Sequence, residues 1–506
     1  MTPKREVGRL GAVPVEPGVV EFRVWAANAH RVETAAGELE PEGGGLFAAR
    51  LPANADDDYR FSLDGGPPLA DPCSRRQPEG LRGPSRILDT GAFDWRHDPV
   101  TVPLSELVVY ELHVGTFTRE GTFESAAARL GELAGLGVTA VEPMPVATFP
   151  GNRGWGYDGV FAFAPHEAYG GPAGLARFVD AAHGNGLAVI LDVVYNHVGP
   201  GSELVAAFGP YFSPKHRTFW GDAIDYSRPA VREWAIQNAE QWVRDYRIDG
   251  LRLDAVHAIF DDGEPHVMAE LAERVRAARP GALVISEMRI GDRRPIEEWG
   301  HDAQWADEFH HALHVLLTGE RDGYYEPYGK VADLARAYDD TFAERLVICA
   351  SNHDQVGNRA YGDRLPPATR RIAAACVLFA PHVPLLFAGE EYGETAPFQF
   401  FTDHDDPAIA QATREGRRKE FARFRAFGGD DIPDPQAPET FDRSRLSPES
   451  GDADLRAFYA ELLRLRRTLP RAVETDVDER RRRLRVRRGE VELVADFRQL
   501  TVELRR

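Results

Sequence analysis

Apolar runs alternate with amphipathic stretches over residues 107–391. Residues 187–194, LAVILDVV, are apolar at nearly every position, as in a strand that is covered by helices on one face and packed inside a barrel on the other. Residues 231–246 instead space their apolar side chains as one face of a helix does. Because the strand-then-helix unit recurs eight times, the pattern predicts an α/β fold, a parallel (β/α)8 TIM barrel.

Eight runs are predicted as barrel strands and the longer amphipathic stretches between them as helices. The strands lie in residues 107–115, 138–145, 187–197, 248–256, 282–288, 302–310, 345–354 and 383–391. The clearest helices lie in residues 124–137, 175–186, 231–246, 267–280 and 369–380.

The regions on either side of the barrel have a different pattern. Residues 1–100 are rich in Gly and Pro and carry short alternating runs, which predicts an N-terminal β-sandwich domain. Residues 101–465 form the predicted catalytic barrel, with a small insertion at about residues 199–229 that is too long for a simple loop. Residues 466–506 alternate again and predict a short C-terminal β appendage.

Composition narrows the possible partners. Lys and Arg number 60 against 80 Asp and Glu, a net charge of −20, which argues against nucleic acid and favours a neutral substrate. No apolar run reaches the roughly 18 residues that a membrane span needs, and the first residues carry no signal-peptide pattern, so we expect a cytoplasmic protein without a membrane partner. Cys73, Cys349 and Cys376 are widely spaced and are interpreted as buried thiols.

Polar clusters follow four of the predicted strands, at residues 192–197, 250–258, 285–287 and 351–359. Active sites of such barrels lie at the carboxyl ends of the strands. One acidic residue at a strand end is usually an ion-pair partner or a helix cap. Four such clusters in a single barrel point instead to catalysis.

Two carboxyl groups have the features of reacting groups. Arg252 and Asp254 are two residues apart on the fourth strand and share a face. A carboxylate beside a guanidinium stays ionised, so Asp254 is the predicted nucleophile. Glu287 follows an apolar run, and a less polar setting raises a carboxyl pKa as a general acid requires. A separation of about 5 to 5.5 Å between the two would give retention through a covalent glycosyl-enzyme.

Other side chains near the strand ends are candidates for binding a sugar. Asp354 is a third carboxylate, predicted to stabilise positive charge that develops on the ring. His197, His257 and His353 are candidate hydrogen-bond donors, and Asp192 is interpreted as a supporting partner that does not react. Flat faces for sugar rings could come from four aromatic residues, each of which could equally pack under a loop: Trp155, Tyr157, Trp220 and Tyr226.

In order and strand position, the four clusters resemble the signature regions of the α-amylase superfamily, glycoside hydrolase family 13. Residues 110–123 (YELHVGTFTREGTF) and 352–360 (NHDQVGNRA), with other stretches over roughly residues 8 to 465, resemble the maltooligosyltrehalose trehalohydrolases. The resemblance implies that Asp254 is the nucleophile, Glu287 the acid/base and Asp354 the transition-state stabiliser. Such enzymes cleave the α-1,4 bond next to a terminal trehalose, after a synthase has made that end.

The resemblance also implies that the N-terminal domain is carbohydrate-module-like and Ig-like, and that no cofactor is needed. No cluster of oxygen ligands in the sequence suggests a bound metal. The substrate-binding residues expected from position and resemblance are Tyr157, Asp192, His197, Arg252, His257, Asp307, His310, His311, His353, Gln355 and Arg359.

Two other functions stay open. A glycogen-branching or debranching enzyme would share the N-terminal module and the carboxylates, but it would create α-1,6 linkages or release linear chains from glycogen. A glucan-binding protein that has lost catalysis would keep the barrel, although the intact set of Asp254, Glu287 and Asp354 argues against it.

Overall fold

The structure is a computed structural model that describes residues 7–421 and 432–505. The first six residues, on which the expected cytoplasmic location partly rests, lie outside the described part of the chain. No helix within these two ranges is long and apolar enough to cross a membrane.

Two antiparallel sheets form the N-terminal region. Six strands pair in the order β1-β2-β5-β4-β3-β7, and β6 pairs with β8. The sheets pack through aromatic rings, since the Phe22 ring centroid lies 5.3 Å from that of Tyr59. The strands are β1 (Gly11–Glu16), β2 (Val19–Trp25), β3 (Val32–Thr34), β4 (Gly37–Gly43), β5 (Leu46–Pro52), β6 (Asp58–Tyr59), β7 (Ser62–Leu63) and β8 (Ser85–Arg86).

Eight parallel strands then close into the predicted barrel, each pairing with the next and the last with the first. They are β9 (Val109–Leu112), β10 (Ala140–Pro143), β13 (Ala188–Val193), β16 (Gly250–Leu253), β17 (Leu283–Ser286), β18 (Ala303–Trp305), β19 (Leu346–Cys349) and β20 (Val383–Phe387). Two hairpins lie outside the barrel wall: β11 (Ala147–Thr148) with β12 (Phe161–Pro165), and β14 (Phe212–Thr218) with β15 (Gly221–Ile224). The second hairpin lies within the predicted insertion.

Helices surround the barrel and fill the connections. They are α1 (Val114–Phe117), α2 (Phe123–Ala127), α3 (Leu130–Leu136), α4 (Gly171–Gly184), α5 (Glu203–Ala206), α6 (Pro229–Asp245), α7 (Val267–Ala278), α8 (Arg294–Glu297), α9 (Asp307–Thr318), α10 (Val331–Tyr338), α11 (His353–Gly357), α12 (Arg370–Phe379), α13 (Pro407–Phe421), α14 (Pro438–Arg443) and α15 (Ala453–Arg466).

Several predicted elements are divided or shorter in the structure. The helix expected over residues 124–137 is divided into α2 and α3, and at the break Arg129 turns back so that its guanidinium lies 4.4 Å from the Phe117 ring centroid. The strand expected over residues 302–310 ends at Trp305, and the chain enters α9 at Asp307. The strands expected over residues 107–115 and 345–354 likewise end at Leu112 and Cys349, before α1 and α11 begin.

The strand period of two separates the barrel interior into layers. Apolar side chains that fill the barrel include Val109, Ile190, Ile285, Val347 and Leu385. Two residues further along three strands, the next inward positions have carboxyl groups: Glu111, Glu142 and Asp192 follow Val109, Ala140 and Ile190. The apolar layer therefore ends where a polar layer begins at the carboxyl ends of the strands.

A four-stranded antiparallel sheet ends the described chain: β21 (Glu474–Asp478), β22 (Arg483–Arg488), β23 (Val491–Asp496) and β24 (Thr501–Arg505). Arg488 fixes this sheet to the barrel, because its guanidinium donates to the main-chain oxygens of Pro470 (2.8 Å), Phe379 (2.9 Å) and Ala380 (3.1 Å). The three cysteines are buried free thiols, as predicted.

Candidate active site

Arg252 is the centre of the polar layer. Its side chain is fully buried, and its guanidinium carbon lies 4.2 Å from the Trp305 ring centroid. Nη1 donates to Asp192 Oδ2 (2.7 Å) and Asp254 Oδ1 (2.8 Å), and Nη2 donates to Glu287 Oε2 (2.6 Å). One planar guanidinium therefore joins carboxyl groups from three neighbouring strands.

Asp254 receives hydrogen bonds on both carboxylate oxygens. Arg252 donates to Oδ1, and Asn196 Nδ2 donates to Oδ2 at 2.7 Å. The next residue, Ala255, has left-handed backbone (φ 41°), which is strained for a residue with a side chain and is typical of functional sites. That turn directs the Ala255 N–H at Glu287 Oε2 (3.1 Å). Asp254 is thus fixed with its two oxygens oriented, as a nucleophile requires.

Glu287 has the environment of an acid that keeps its proton. Burial raises its pKa, and the charge of Asp254 acts in the same direction, whereas Arg252 and the Ala255 N–H lower it. Its side chain is still 19% exposed, so the carboxyl group can reach a bound sugar. The site therefore contains one carboxylate with two donors and one carboxyl group with a raised pKa, the pair that double displacement needs.

His353 lies in the floor of the cleft beside these groups. Its Nε2 is 2.8 Å from Tyr157 Oη and 3.4 Å from Asp354 Oδ2, and the Tyr157 ring stacks on it at 5.0 Å. Tyr157 Oη donates to Asp192 Oδ2 at 2.5 Å. Burial raises the pKa of Asp192 to about 7, against the opposite effect of Arg252. Asp192 thus holds Arg252 and Tyr157 in position from below.

The sequence of this chain is similar to those of known proteins over most of its length. Residues 113–211 match the family model of the alpha amylase catalytic domain. The chain is 42% identical to the malto-oligosyltrehalose trehalohydrolase of Rhizobium sp. (strain M-11), over 98% of this chain and 94% of that protein. It is 41% identical to the protein of the same name from Saccharolobus solfataricus, over 88% of this chain and 85% of that protein. This chain belongs to the malto-oligosyltrehalose trehalohydrolase family.

Solved structures agree with the barrel fold of this trehalohydrolase-family chain. A crystal structure described as an alpha amylase from Salmonella typhimurium superposes with a TM-score of 0.87 at 37% identity, covering 96% of this chain and 92% of that one. A pullulanase from Paenibacillus barengoltzii complexed with maltotriose gives a TM-score of 0.74 at 19% identity, covering 97% and 89%, and this likeness concerns the fold alone. The predicted (β/α)8 barrel is confirmed.

Several other predicted residues of the trehalohydrolase-family site lie at its rim. His197 stacks on Trp220 at 5.0 Å, and Trp220 is 49% exposed at the tip of the β14–β15 hairpin. Half-buried His257 adjoins Glu287. Burial, with the nearby Glu287 and Asp354 acting in the same direction, raises the pKa of Asp307 to about 7. The rim thus combines an exposed aromatic ring with groups that can donate and accept hydrogen bonds.

A second set of predicted residues is bonded within the protein. His310 uses both ring nitrogens, on Ala350 O (2.8 Å) and Tyr325 Oη (3.0 Å), so neither is left for a sugar. Arg359 pairs with Glu320 at 2.7 Å and Asp363 at 2.8 Å. Gln355 Oε1 accepts a hydrogen bond from Tyr325 Oη at 3.5 Å. His311 is buried beside the ring of Tyr324, and its Nδ1 has no hydrogen-bond partner among the described residues. Of the candidate aromatic platforms, Trp155 and Tyr226 are buried.

Sequence reasoning missed three residues that the structure brings to the trehalohydrolase site: Asn196, Trp305 and Glu111. The signal for Asn196 was its place within the polar cluster at residues 192–197. A lone glutamate in an otherwise apolar strand was the signal for Glu111. The contact of Trp305 with Arg252 depends on barrel closure, and no local pattern predicts it. No metal-binding group of three or more His, Cys, Asp or Glu occurs within residues 7–421 and 432–505.

Proposed function

We propose that this protein hydrolyses maltooligosyltrehalose at the α-1,4 bond next to the terminal trehalose, and releases trehalose with retention of configuration. One observation carries the proposal: Arg252 bonds both Asp254 (2.8 Å) and Glu287 (2.6 Å) in a chain whose relatives are named trehalohydrolases. One guanidinium bonds both carboxyl groups and so keeps them close together, and a retaining pair about 5 to 5.5 Å apart would flank the scissile bond.

In the first step, Glu287 gives its proton to the oxygen of the scissile glycosidic bond while an Asp254 oxygen attacks C1 of the cleaved glucose. The C1–O bond breaks, trehalose leaves with the proton, and Asp254 becomes a glycosyl ester. In the second step, Glu287 as carboxylate takes a proton from water, whose oxygen attacks C1 and frees Asp254. Two inversions at C1 give net retention.

Asp354 and His353 have the positions of sugar-binding groups. Positive charge develops at C1 and the ring oxygen in the transition state, and a carboxylate beside the ring stabilises it more than it stabilises the neutral substrate. The Asp354 side chain is 37% exposed and points to the cleft next to His353. Asp354 is therefore assigned the stabilising role, with His353 and Tyr157 lying beside the same glucose.

The substrate supply, the cellular location and the domain roles belong to the same proposal. A maltooligosyltrehalose synthase supplies the substrate, and both enzymes act in the cytoplasm. Residues 1–100 form a carbohydrate-module-like domain, residues 101–465 the catalytic barrel with its insertion, and residues 466–506 a short C-terminal domain. A neutral sugar substrate is compatible with the net charge of −20.

Product analysis tests the substrate assignment. The purified protein is incubated with maltotriosyltrehalose and, separately, with maltopentaose, and the products are separated by anion-exchange chromatography. We expect trehalose and maltotriose from the first and much slower cleavage of the second. Equal cleavage of both would make the protein a general α-glucanase, and new α-1,6 linkages or linear chains from glycogen would favour the branching or debranching alternatives.

The variant Glu287→Gln tests the acid. We expect kcat to fall by about 10²- to 10⁴-fold while maltotriosyltrehalose still binds in a calorimetric titration, because the amide keeps the shape and loses the proton. Glu240→Gln is the matched control, since Glu240 pairs with Arg274 at 2.6 Å in the helix layer, away from the cleft. Equal turnover in Glu287→Gln and the parent protein would contradict the mechanism.

A further inference from the structure

Two glutamates lie side by side beneath the cleft, and the proposed mechanism uses neither. Glu111 of β9 and Glu142 of β10 are register partners on adjacent parallel strands. In-register positions project to the same face of a sheet, so both side chains point into the barrel. Both are buried, with exposures of 0% and 1%. Burying a carboxyl group costs folding free energy unless the group is paired or protonated. In the described ranges of the chain, Glu111 is paired, whereas Glu142 is not.

Glu111 is fully engaged with one residue. Its Oε1 lies 2.5 Å from His353 Nδ1, and its Oε2 accepts the main-chain N–H of His353 at 2.8 Å. An Nδ1–H bonded to a carboxylate fixes the orientation of the imidazole and favours its charged form. The other ring nitrogen, Nε2, then also carries a proton and donates to Tyr157 Oη at 2.8 Å.

Glu142 differs from its register partner. Neither of its carboxyl oxygens has a hydrogen-bond partner among the residues that the structure describes. Burial raises its pKa well above the usual range, and the charges of Glu111 and Asp192 act in the same direction. A protonated acid fits this position, since an unpaired carboxylate here would repel two neighbouring anions.

We propose that Glu111 is a positioning residue that holds His353 as an imidazolium, and that Glu142 stays neutral beside it without contributing to that charge. The first part rests on the proposed function, because a charged His353 affects catalysis only where Asp354 and a bound sugar lie beside it. The charged and titratable groups that face His353 from the packed elements are His113, Glu111, Glu142, Tyr157, Asp192, Arg252 and Asp354.

The electrostatics agree with this geometry. Burial lowers the pKa of His353, but Asp354 and Glu111 raise it by more, to about 10. A group whose pKa is raised keeps its proton at every pH below that value. His353 is therefore charged throughout the neutral range, and its loss of charge would appear only in alkaline solution.

The variants Glu111→Gln and Glu142→Gln separate the two roles, because each keeps the shape of a register partner. Protein labelled at histidine Cε1 is titrated by NMR, with the His353 signal assigned by its loss in His353→Gln. In the parent protein and in Glu142→Gln, we expect the His353 signal to stay in the imidazolium position up to alkaline pH. In Glu111→Gln, we expect it to titrate at a lower pH than in the parent protein.

Turnover of maltotriosyltrehalose gives the second readout. We expect Glu111→Gln to lose activity progressively as the pH rises, by about tenfold or more at the alkaline end, and Glu142→Gln to keep the parent profile. A purely structural role for Glu111 would lower kcat equally at all pH values. A parent His353 that titrates near neutral pH, or a Glu142→Gln variant that behaves as Glu111→Gln does, would overturn the proposal. Trehalose release that fails while the NMR result holds would refute the proposed function alone.

Discussion

Replacing Arg252 by lysine keeps a positive charge at the centre of the site but removes the planar fork that distributes it. In the structure, Nη1 bonds Asp192 at 2.7 Å and Asp254 at 2.8 Å, while Nη2 bonds Glu287 at 2.6 Å. A lysine ammonium is a single nitrogen on a flexible stem and cannot occupy both positions. If it stays with the two aspartates, the contact with Glu287 is lost.

The size of the effect follows from that one contact. A hydrogen bond to a charged group contributes about 1.5–3 kcal/mol, and Arg252 is fully buried, so solvent does not weaken it. At about 1.36 kcal/mol per factor of ten, kcat/KM of Arg252→Lys should fall by roughly 10- to 100-fold.

The substitution should also shift the pH profile of kcat/KM in a defined direction. Arg252 lowers the pKa of Glu287, so its displacement raises that pKa. In the proposed mechanism Glu287 acts as the protonated acid, so the alkaline limb of the profile should move to higher pH.

The assay is the pH profile of kcat/KM for maltotriosyltrehalose from about pH 5 to about pH 9. Arg274→Lys is the control, since Arg274 also joins two carboxylates, Glu233 at 3.1 Å and Glu240 at 2.6 Å, but in the helix layer. The control should leave the profile unchanged. A kcat/KM that stays at the parent value in Arg252→Lys, or an alkaline limb that moves to lower pH, would refute the reasoning.

Two substitutions test packing around the site and at the opposite end of the barrel. In Gly357→Ala, the new Cβ would lie 2.1 Å from the buried Trp155 ring, so we expect about 1–3 kcal/mol of destabilisation and a change in tryptophan fluorescence. Gly135→Ala meets no atom within 4 Å and should not destabilise the protein; equal stability of the two would contradict the packing argument. Arg488→Met removes three hydrogen bonds to main-chain oxygens, so it should lower the thermal midpoint and leave kcat/KM unchanged. Its control is Arg485→Met, on the exposed face of the same strand, which should leave both the thermal midpoint and kcat/KM unchanged. A loss of activity in folded Arg488→Met would show that the C-terminal sheet affects the site.

The barrel and its polar layer could be predicted from the sequence because both follow from local periodicity. Eight runs of apolar residues gave the strands, and the spacing of Arg252 and Asp254 placed both on one face. On β9 the strand period of two also reaches Glu111, which was not among the predicted site residues. Asn196 lies three residues beyond the end of β13, so its position depends on the chain that follows the strand.

Other features depend on contacts between distant parts of the chain. Trp155 is the kind of residue that binds a sugar ring, yet its ring stacks on Phe398 at 5.1 Å and is buried. His310 lies on the rim helix α9, but its nitrogens are taken by Ala350 and Tyr325. Whether an aromatic or a histidine faces substrate is decided by which loop covers it, and loop positions are not encoded in local spacing.

The contacts of Arg252 with three carboxyl groups bear on where protons are held in the site. Asp192, Asp254 and Glu287 surround one cation, and burial makes each additional negative charge costly. Burial raises the pKa of Glu287 and the charge of Asp254 acts in the same direction, while Arg252 lowers it, so Glu287 has the setting of a group that keeps a proton. In the proposed mechanism, positive charge appears on the glucose as Glu287 releases its proton and the bond to trehalose breaks. The negative charge that the pocket disfavours before the reaction is then balanced by the substrate, and this difference between ground state and transition state would accelerate the reaction.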